Sequence, residues 1–169
     1  MEANHLTHAG RHILIYADGS CSGPPGPGGY AAVLRRMDGS TELRRKAVLG
    51  FEPEPTTNVR MEMTAVAAAL EAIKAGEPEP IIIYSNSNLL ANGMLEWAPV
   101  WVANDWRKKD KSAVVNSDLW QRLIAASEGK CIDWRWVKGH AGNVQKGEVN
   151  RLARTQMQKA LALSFGFAA

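Results

Sequence analysis

Two short apolar runs, Ile13-Leu14-Ile15-Tyr16 and Ile81-Ile82-Ile83-Tyr84, stand on either side of one long helical pattern, and this arrangement limits the fold more than any other feature of the chain. Each run is short and rich in isoleucine, as expected of a strand buried on both faces. Between them, from Val59 to Lys74, alanines, leucines and methionines recur at helical spacing until Gly76 and Pro78 end the pattern. A strand set, a crossover helix and a further strand imply parallel pairing across the crossover. The first run stops at Asp18-Gly19-Ser20, which predicts a strand ending at a polar loop.

The remaining elements fit around this unit. Gly23-Pro24-Pro25-Gly26-Pro27-Gly28-Gly29 reads as a turn. Tyr30 to Arg36 and Glu42 to Leu49 flank Met37-Asp38-Gly39-Ser40, so the first three strands form an antiparallel meander. Short helices are expected around Asn88 to Met94 and Glu96 to Ala103. A polar, basic segment from Asp105 to Asn116 follows, then a helix at Asp118 to Ser127, a strand at Cys131 to Val137 and a last helix at Val144 to Leu163. The order βββαβα…αβα describes a mixed α/β domain around one sheet.

A chain of 169 residues with 46% hydrophobic content is the size of one domain. No stretch approaches the roughly 20 apolar residues that cross a bilayer, and the N-terminal residues have no apolar core like that of a signal peptide. A cytoplasmic monomer is the expectation. Cys21 and Cys131 have neither the number nor the spacing of a disulfide framework or zinc site, so reduced thiols are expected. The net charge of +3 permits a polyanionic partner without requiring one.

Polar groups just past strand ends are favoured site positions in open α/β sheets. Asp18 ends the first strand, Asn86 follows the fourth, and His140 in Lys138-Gly139-His140-Ala141-Gly142 follows the fifth. Glu62, between Met61 and Met63 one turn into a helix, needs a partner or a metal if it is buried. Taken singly, Asp18 reads as a turn former, Glu62 as a solvated helix position and His140 as a loop residue. Their joint placement is what argues for a site.

Five ordered segments carry a resemblance: Tyr16-Ala17-Asp18-Gly19-Ser20-Cys21, Pro25-Gly26-Pro27-Gly28-Gly29-Tyr30, Thr57-Asn58-Val59-Arg60-Met61-Glu62, Asp118-Leu119-Trp120-Gln121-Arg122-Leu123 and Trp136-Val137-Lys138-Gly139-His140-Ala141-Gly142. In order and spacing they resemble the type 1 ribonuclease H family. The resemblance implies an RNase H-like α/β fold over residues 11–163, with a disordered extension at 1–10 and a flexible tail at 164–169. The implied sheet has five strands, three antiparallel and then two parallel, flanked by helices.

The activity implied is metal-dependent endonucleolytic cleavage of the RNA strand of RNA/DNA hybrids, with Mg²⁺ or Mn²⁺ held by four acidic residues. Oxygen donors suit such hard cations. The resemblance places the four ligands at Asp18, Glu62, Asn86 and Asn150, so asparagine stands at the third and fourth positions. An amide brings no charge and cannot bridge two ions, so metal binding is expected to be weak. Asn150 falls at the more peripheral position and is expected to be tolerated, whereas Asn86 is expected to cost activity. Glu148 is two residues along the helix, about 200° around the axis from Asn150, and makes a poor substitute. His140 resembles the family's mobile histidine, which assists proton transfer or product departure.

For the substrate, Thr57, Asn58 and Arg60 match the segment that grips backbone phosphate and reads the minor groove. Pro24 and Val59 depart from the family's asparagines there. Trp106, Arg107, Lys108, Lys109 and Lys111 match a basic protrusion that binds phosphates, although Val102, Ala103 and Asn104 make it less basic than in better-known bacterial members. Trp97, Trp101 and Trp120, at roughly helical spacing, are expected in the core. Two functions compete: a ribonuclease H weakened by Asn86, and a non-catalytic module with the same fold that binds hybrid or double-stranded nucleic acid.

Overall fold

Side chains alternate across a strand, and in the first strand both sets are apolar. Ile13, Ile15 and Ala17 join one buried cluster, while Leu14 and Tyr16 join another on the opposite face. The strand is therefore covered on both sides, as its sequence predicts. The structure is a computed structural model that describes residues 10–85, 87–136 and 144–166. The expected N-terminal extension, apart from Gly10, and the tail beyond residue 166 lie outside the described residues.

The elements run β1 (Arg11–Cys21), β2 (Gly26–Asp38), β3 (Thr41–Thr56), α1 (Asn58–Glu71), β4 (Ile81–Ser85), α2 (Leu89–Asn92), a π-helical turn (Gly93–Trp97), α3 (Ala98–Ala103), α4 (Ser117–Ser127), β5 (Ile132–Trp136) and α5 (Val144–Ser164). They build one five-stranded sheet in the order β3-β2-β1-β4-β5. β1, β2 and β3 pair antiparallel, and β4 pairs in parallel with both β1 and β5. This is the expected mixed sheet. α1 and α4 share the larger buried cluster with one face, through Met63, Val66, Leu70, Leu119, Trp120 and Leu123. α5 covers the other face through Val149 and Ala153 against Tyr16, Ala31 and Val33.

Several boundaries differ from the sequence reading, and β3, expected at Glu42 to Leu49, runs on to Thr56. β1 does not stop at Asp18. Its parallel pairing with β4 ends at Tyr16↔Tyr84, but its antiparallel pairing with β2 continues through Asp18↔Ala31 and Gly19↔Tyr30 to Cys21↔Gly28. Asp18 thus sits past the end of the parallel half of the sheet while its backbone stays locked in the antiparallel half. The glycine-rich stretch is likewise only partly a turn, because Gly26 to Gly29 belong to β2. Gly29 is needed for close approach: a Cβ there would lie 2.2 Å from the Met157 backbone nitrogen, so its absence lets α5 press against the strand. Finally, the two expected short helices form one helical run from Leu89 to Ala103. Pro99, which has no N–H to donate, stands just past its π-helical turn, where the Ala98 N–H reaches back to the Gly93 carbonyl.

Candidate active site

The site is built where the parallel pairing of β1 with β4 ends and the first turns of α1 and α5 meet it. Gly19 makes the first contact possible. A Cβ at Gly19 would stand 2.5 Å from the Glu62 backbone nitrogen and 2.6 Å from Met61 Cβ, so only a glycine lets α1 seat its first turn on the end of β1. This close approach brings Glu62 up to Asp18. Thr57 starts the helix at the right place: its extended backbone and its hydroxyl, accepting the Arg60 N–H at 3.2 Å, form an N-cap.

Asp18 is 5% exposed and both of its oxygens are engaged. The Gly19 N–H donates to Oδ1 at 2.9 Å, and Asn150 Nδ2 donates to Oδ2 at 3.0 Å. An ionised carboxylate has no proton to give, so the amide must turn its nitrogen toward it. Glu62 is half-buried and accepts from Ser85 Oγ at 2.5 Å. Burial pushes the Glu62 carboxyl above its ordinary value; the Ser85 hydroxyl and the charge of Lys146 act against this, and the Asp18 charge adds to it.

Lys146 is the residue that sequence reasoning missed. It is 0% exposed, the largest of the fully buried side chains among the described residues, and its Nζ donates to the carbonyls of Tyr84 at 3.2 Å and Ala17 at 3.4 Å. Those carbonyls lie where the parallel pairing of β1 with β4 ends. The ammonium therefore stands between the two strands that carry the site, within electrostatic range of Glu62 and Asp18. Burial pulls it below the ordinary lysine value, and those two carboxylates oppose the shift. A signal for it exists in the periodicity. The buried positions of α5 are Lys146, Val149, Ala153, Gln156 and Ala160, one helical stripe, so extending the stripe back from Val149 lands on Lys146.

The structure brings Asp18, Glu62 and Asn150 together. Asn86 and His140 lie outside the described residues. Glu148 pairs with Arg45 of β3, turned away from Asp18 as its helical position requires. Asn58 is exposed at the start of α1. Arg60 is held by Asp118, which accepts from both of its terminal nitrogens at 3.0 and 2.7 Å, and by Asn116 Oδ1 at 3.0 Å. The Asp118 hydrogen bond raises the Arg60 guanidinium above its ordinary value. An open cleft of about 610 Å³ adjoins Arg60, with Glu52, Glu54, Asp118 and Arg122 on its walls.

The basic segment forms a tight loop closed by Lys108 N–H to Ser112 O and by Arg107 pairing with Ala113. Arg107, Lys108, Lys109 and Lys111 are all exposed on it. Trp106 is half-buried at its base, 6.1 Å between ring centroids from Trp101, which also meets Trp97 and Trp120 at 5.9 and 5.5 Å. Its φ of +59°, unfavourable for so large a side chain, is held by that packing and by hydrogen bonds with Trp101 and Val114.

Comparison with known proteins bears on this geometry. The family model described as RNase H matches residues 10–158. The chain belongs to the ribonuclease H family. It is 42% identical over 145 residues to the ribonuclease H of Paracoccus denitrificans (strain Pd 1222), covering 86% of this chain and 92% of the relative. It is 45% identical over 153 residues to the ribonuclease H of Polaromonas naphthalenivorans (strain CJ2), covering 89% and 90%. Among solved structures it resembles LC9-RNase H1, a type 1 RNase H with the type 2 active-site motif, with a TM-score of 0.77 at 32% identity, covering 89% of this chain and 74% of the other. Ribonucleases H are nucleases, a class of hydrolase, and generally use divalent metal ions. The described residues of this chain do not fit a pair of such ions. No group of three His, Cys, Asp or Glu converges among them, both Asp18 oxygens already accept hydrogen bonds, and the buried ammonium of Lys146, held by the Ala17 and Tyr84 carbonyls, acts on the two carboxylates through its charge.

Proposed function

We propose that this ribonuclease H family member grips RNA/DNA hybrid but cleaves its RNA strand only weakly, with Asn86 and Asn150 at the third and fourth metal-ligand positions. The observation that carries this reading is the hydrogen bond from Asn150 to Asp18. At a position where the family resemblance expects a further acceptor for metal, this chain presents a donor, and the donor occupies the carboxylate beside it. A unit charge about 4 Å from another interacts by roughly 4 kcal/mol at an effective dielectric of 20, and a divalent ion doubles the figure before desolvation is subtracted. Two missing carboxylates therefore weaken the hold on Mg²⁺ or Mn²⁺ severely. In this reading His140 assists proton transfer, and Thr57, Asn58, Arg60 and the loop of Trp106, Arg107, Lys108, Lys109 and Lys111 position the hybrid.

The test is a pair of measurements on the unmodified chain. Binding of fluorescent hybrid in EDTA should exceed binding of duplex DNA of the same sequence. Cleavage in Mg²⁺ or Mn²⁺ should be about 10²-fold or more slower than that of the Paracoccus denitrificans relative, as loss of a few kcal/mol of charge stabilisation implies. Asn86→Asp is expected to raise cleavage in Mn²⁺ more than Asn150→Asp does. Cleavage by the unmodified chain within about tenfold of the relative, or no preference for hybrid, overturns the reading.

A further inference from the structure

The geometry points to Lys146 as a built-in cation: its buried ammonium neutralises Asp18 and Glu62 from within the protein, in the place of an external divalent ion, so that the folded site is complete without metal. This inference rests on the reading of Asp18 and Glu62 as the remnant of a metal site.

Three observations converge on it. Lys146 is 0% exposed, and a buried ammonium persists only where carbonyls and negative charges replace its water. Here the carbonyls of Ala17 and Tyr84 accept from it, and both site carboxylates interact with its charge. Next, among the described residues the other polar contacts of those carboxylates are donors: Gly19 N–H and Asn150 Nδ2 to Asp18, and Ser85 Oγ to Glu62. Donors and a cation together are what two desolvated carboxylates require when no metal is present. Finally, Lys146 and Asn150 are four residues apart on α5, so one helix face delivers both the cation and the amide to Asp18. A divalent ion entering this site would meet a fixed positive charge, and Asp18 would have to exchange both hydrogen bonds for it.

The experiment uses the full chain and two readouts of the site that do not depend on activity, melting temperature and Mn²⁺ titration by calorimetry, with hybrid binding followed in parallel. The unmodified chain is expected to melt at the same temperature in EDTA and in Mn²⁺ and to show no stoichiometric heat of Mn²⁺ binding. Lys146→Met is expected to melt lower in EDTA and to regain part of the difference in Mn²⁺, because the ion now supplies the missing charge. Should that variant fail to fold, the comparison passes to the Asn86→Asp/Asn150→Asp chain with and without Lys146→Gln. Removing the lysine there should tighten Mn²⁺ binding by about tenfold or more, as loss of a neighbouring like charge requires. Stoichiometric Mn²⁺ binding by the unmodified chain, or equal Mn²⁺ affinity with and without the lysine in the doubly substituted chain, overturns the inference. Those results leave the hybrid-binding reading intact, whereas loss of hybrid preference in the unmodified chain sinks that reading and is scored on a separate signal.

Discussion

Asp18 takes one hydrogen bond on each oxygen, and the second comes from a residue whose charged counterpart would repel it. Replacing Asn150 by aspartate turns a donor into a second buried acceptor a hydrogen-bond length away, so one carboxylate must lose its charge or the pair must separate. In EDTA at neutral pH, Asn150→Asp is expected to cost about 1–3 kcal/mol, the usual penalty for a buried polar group left without its partner. Chemical unfolding in EDTA reads this directly, and an unchanged stability at neutral pH would show that the amide contributes nothing to holding Asp18. A second carboxylate, far from the site, carries a pH signature. Glu77 is buried and accepts from Arg36 Nη2 at 3.0 Å and from the Glu79 N–H at 3.2 Å, and the Arg36 hydrogen bond holds its carboxyl below the ordinary value. A lowered folded pKa means stability that is fully present above the unfolded value and is lost as pH drops through the folded one. Glu77→Gln should therefore destabilise by about 1.5–3 kcal/mol at neutral pH, and the gap to the parent should close under acid; a gap that stays constant down to about pH 2 would remove the charge from the explanation.

The same positions show what a strand or helix pattern can and cannot disclose. The two isoleucine runs announce β1 and β4 because a strand buried on both faces admits nothing else, and the alanine-rich α1 follows from its period. Gly26 to Gly29 were not legible in the same way. Glycine and proline mark turns locally, and only the approach of α5, two-thirds of the chain away, makes glycine the residue that fits inside a strand at Gly29. Lys146 escaped for a related reason: a lysine near a helix start reads as solvated, and its burial depends on β1 and β4 offering carbonyls to its tip. The close approaches are testable on the elements themselves. Gly29→Ala must move the α5 backbone, since the contact atom is Met157 N and no side chain can swing aside; a loss of about 1–3 kcal/mol or more is expected. Gly19→Ala pushes instead on the Met61–Glu62 backbone and should add to its loss in stability a drop in hybrid cleavage by an Asn86→Asp background, because it displaces Glu62 from Asp18. Wild-type melting of Gly29→Ala would mean that α5 does not sit against β2 as described.

At the scale of the whole molecule, the exposed cations are unevenly placed. The chain carries a net charge of only +3, yet Arg107, Lys108, Lys109 and Lys111 lie together on a loop whose base is fixed by the Trp97, Trp101, Trp106 and Trp120 rings. By contrast, the cleft beside Arg60 mixes its guanidinium with Glu52, Glu54 and Asp118, and Asp118 already pairs with Arg60. Long-range attraction of a polyanion should thus come chiefly from the loop, with the cleft contributing fit more than charge. Each phosphate neutralised by such a lysine releases condensed counterions, so the logarithm of affinity falls with the logarithm of salt at roughly 0.9 per contact on a B-form duplex. Replacing Lys108, Lys109 and Lys111 together by alanine should flatten the salt dependence of hybrid binding by roughly 1–3 in that slope. Because all three side chains are exposed and the tryptophans below them are untouched, each substitution should change folding stability by less than about 0.5 kcal/mol. Binding measured by anisotropy across a salt series in EDTA separates this electrostatic contribution from any metal effect. An unaltered slope would assign the phosphate contacts to another surface, with the exposed Arg44 and Lys46 of β3 the next cations to substitute.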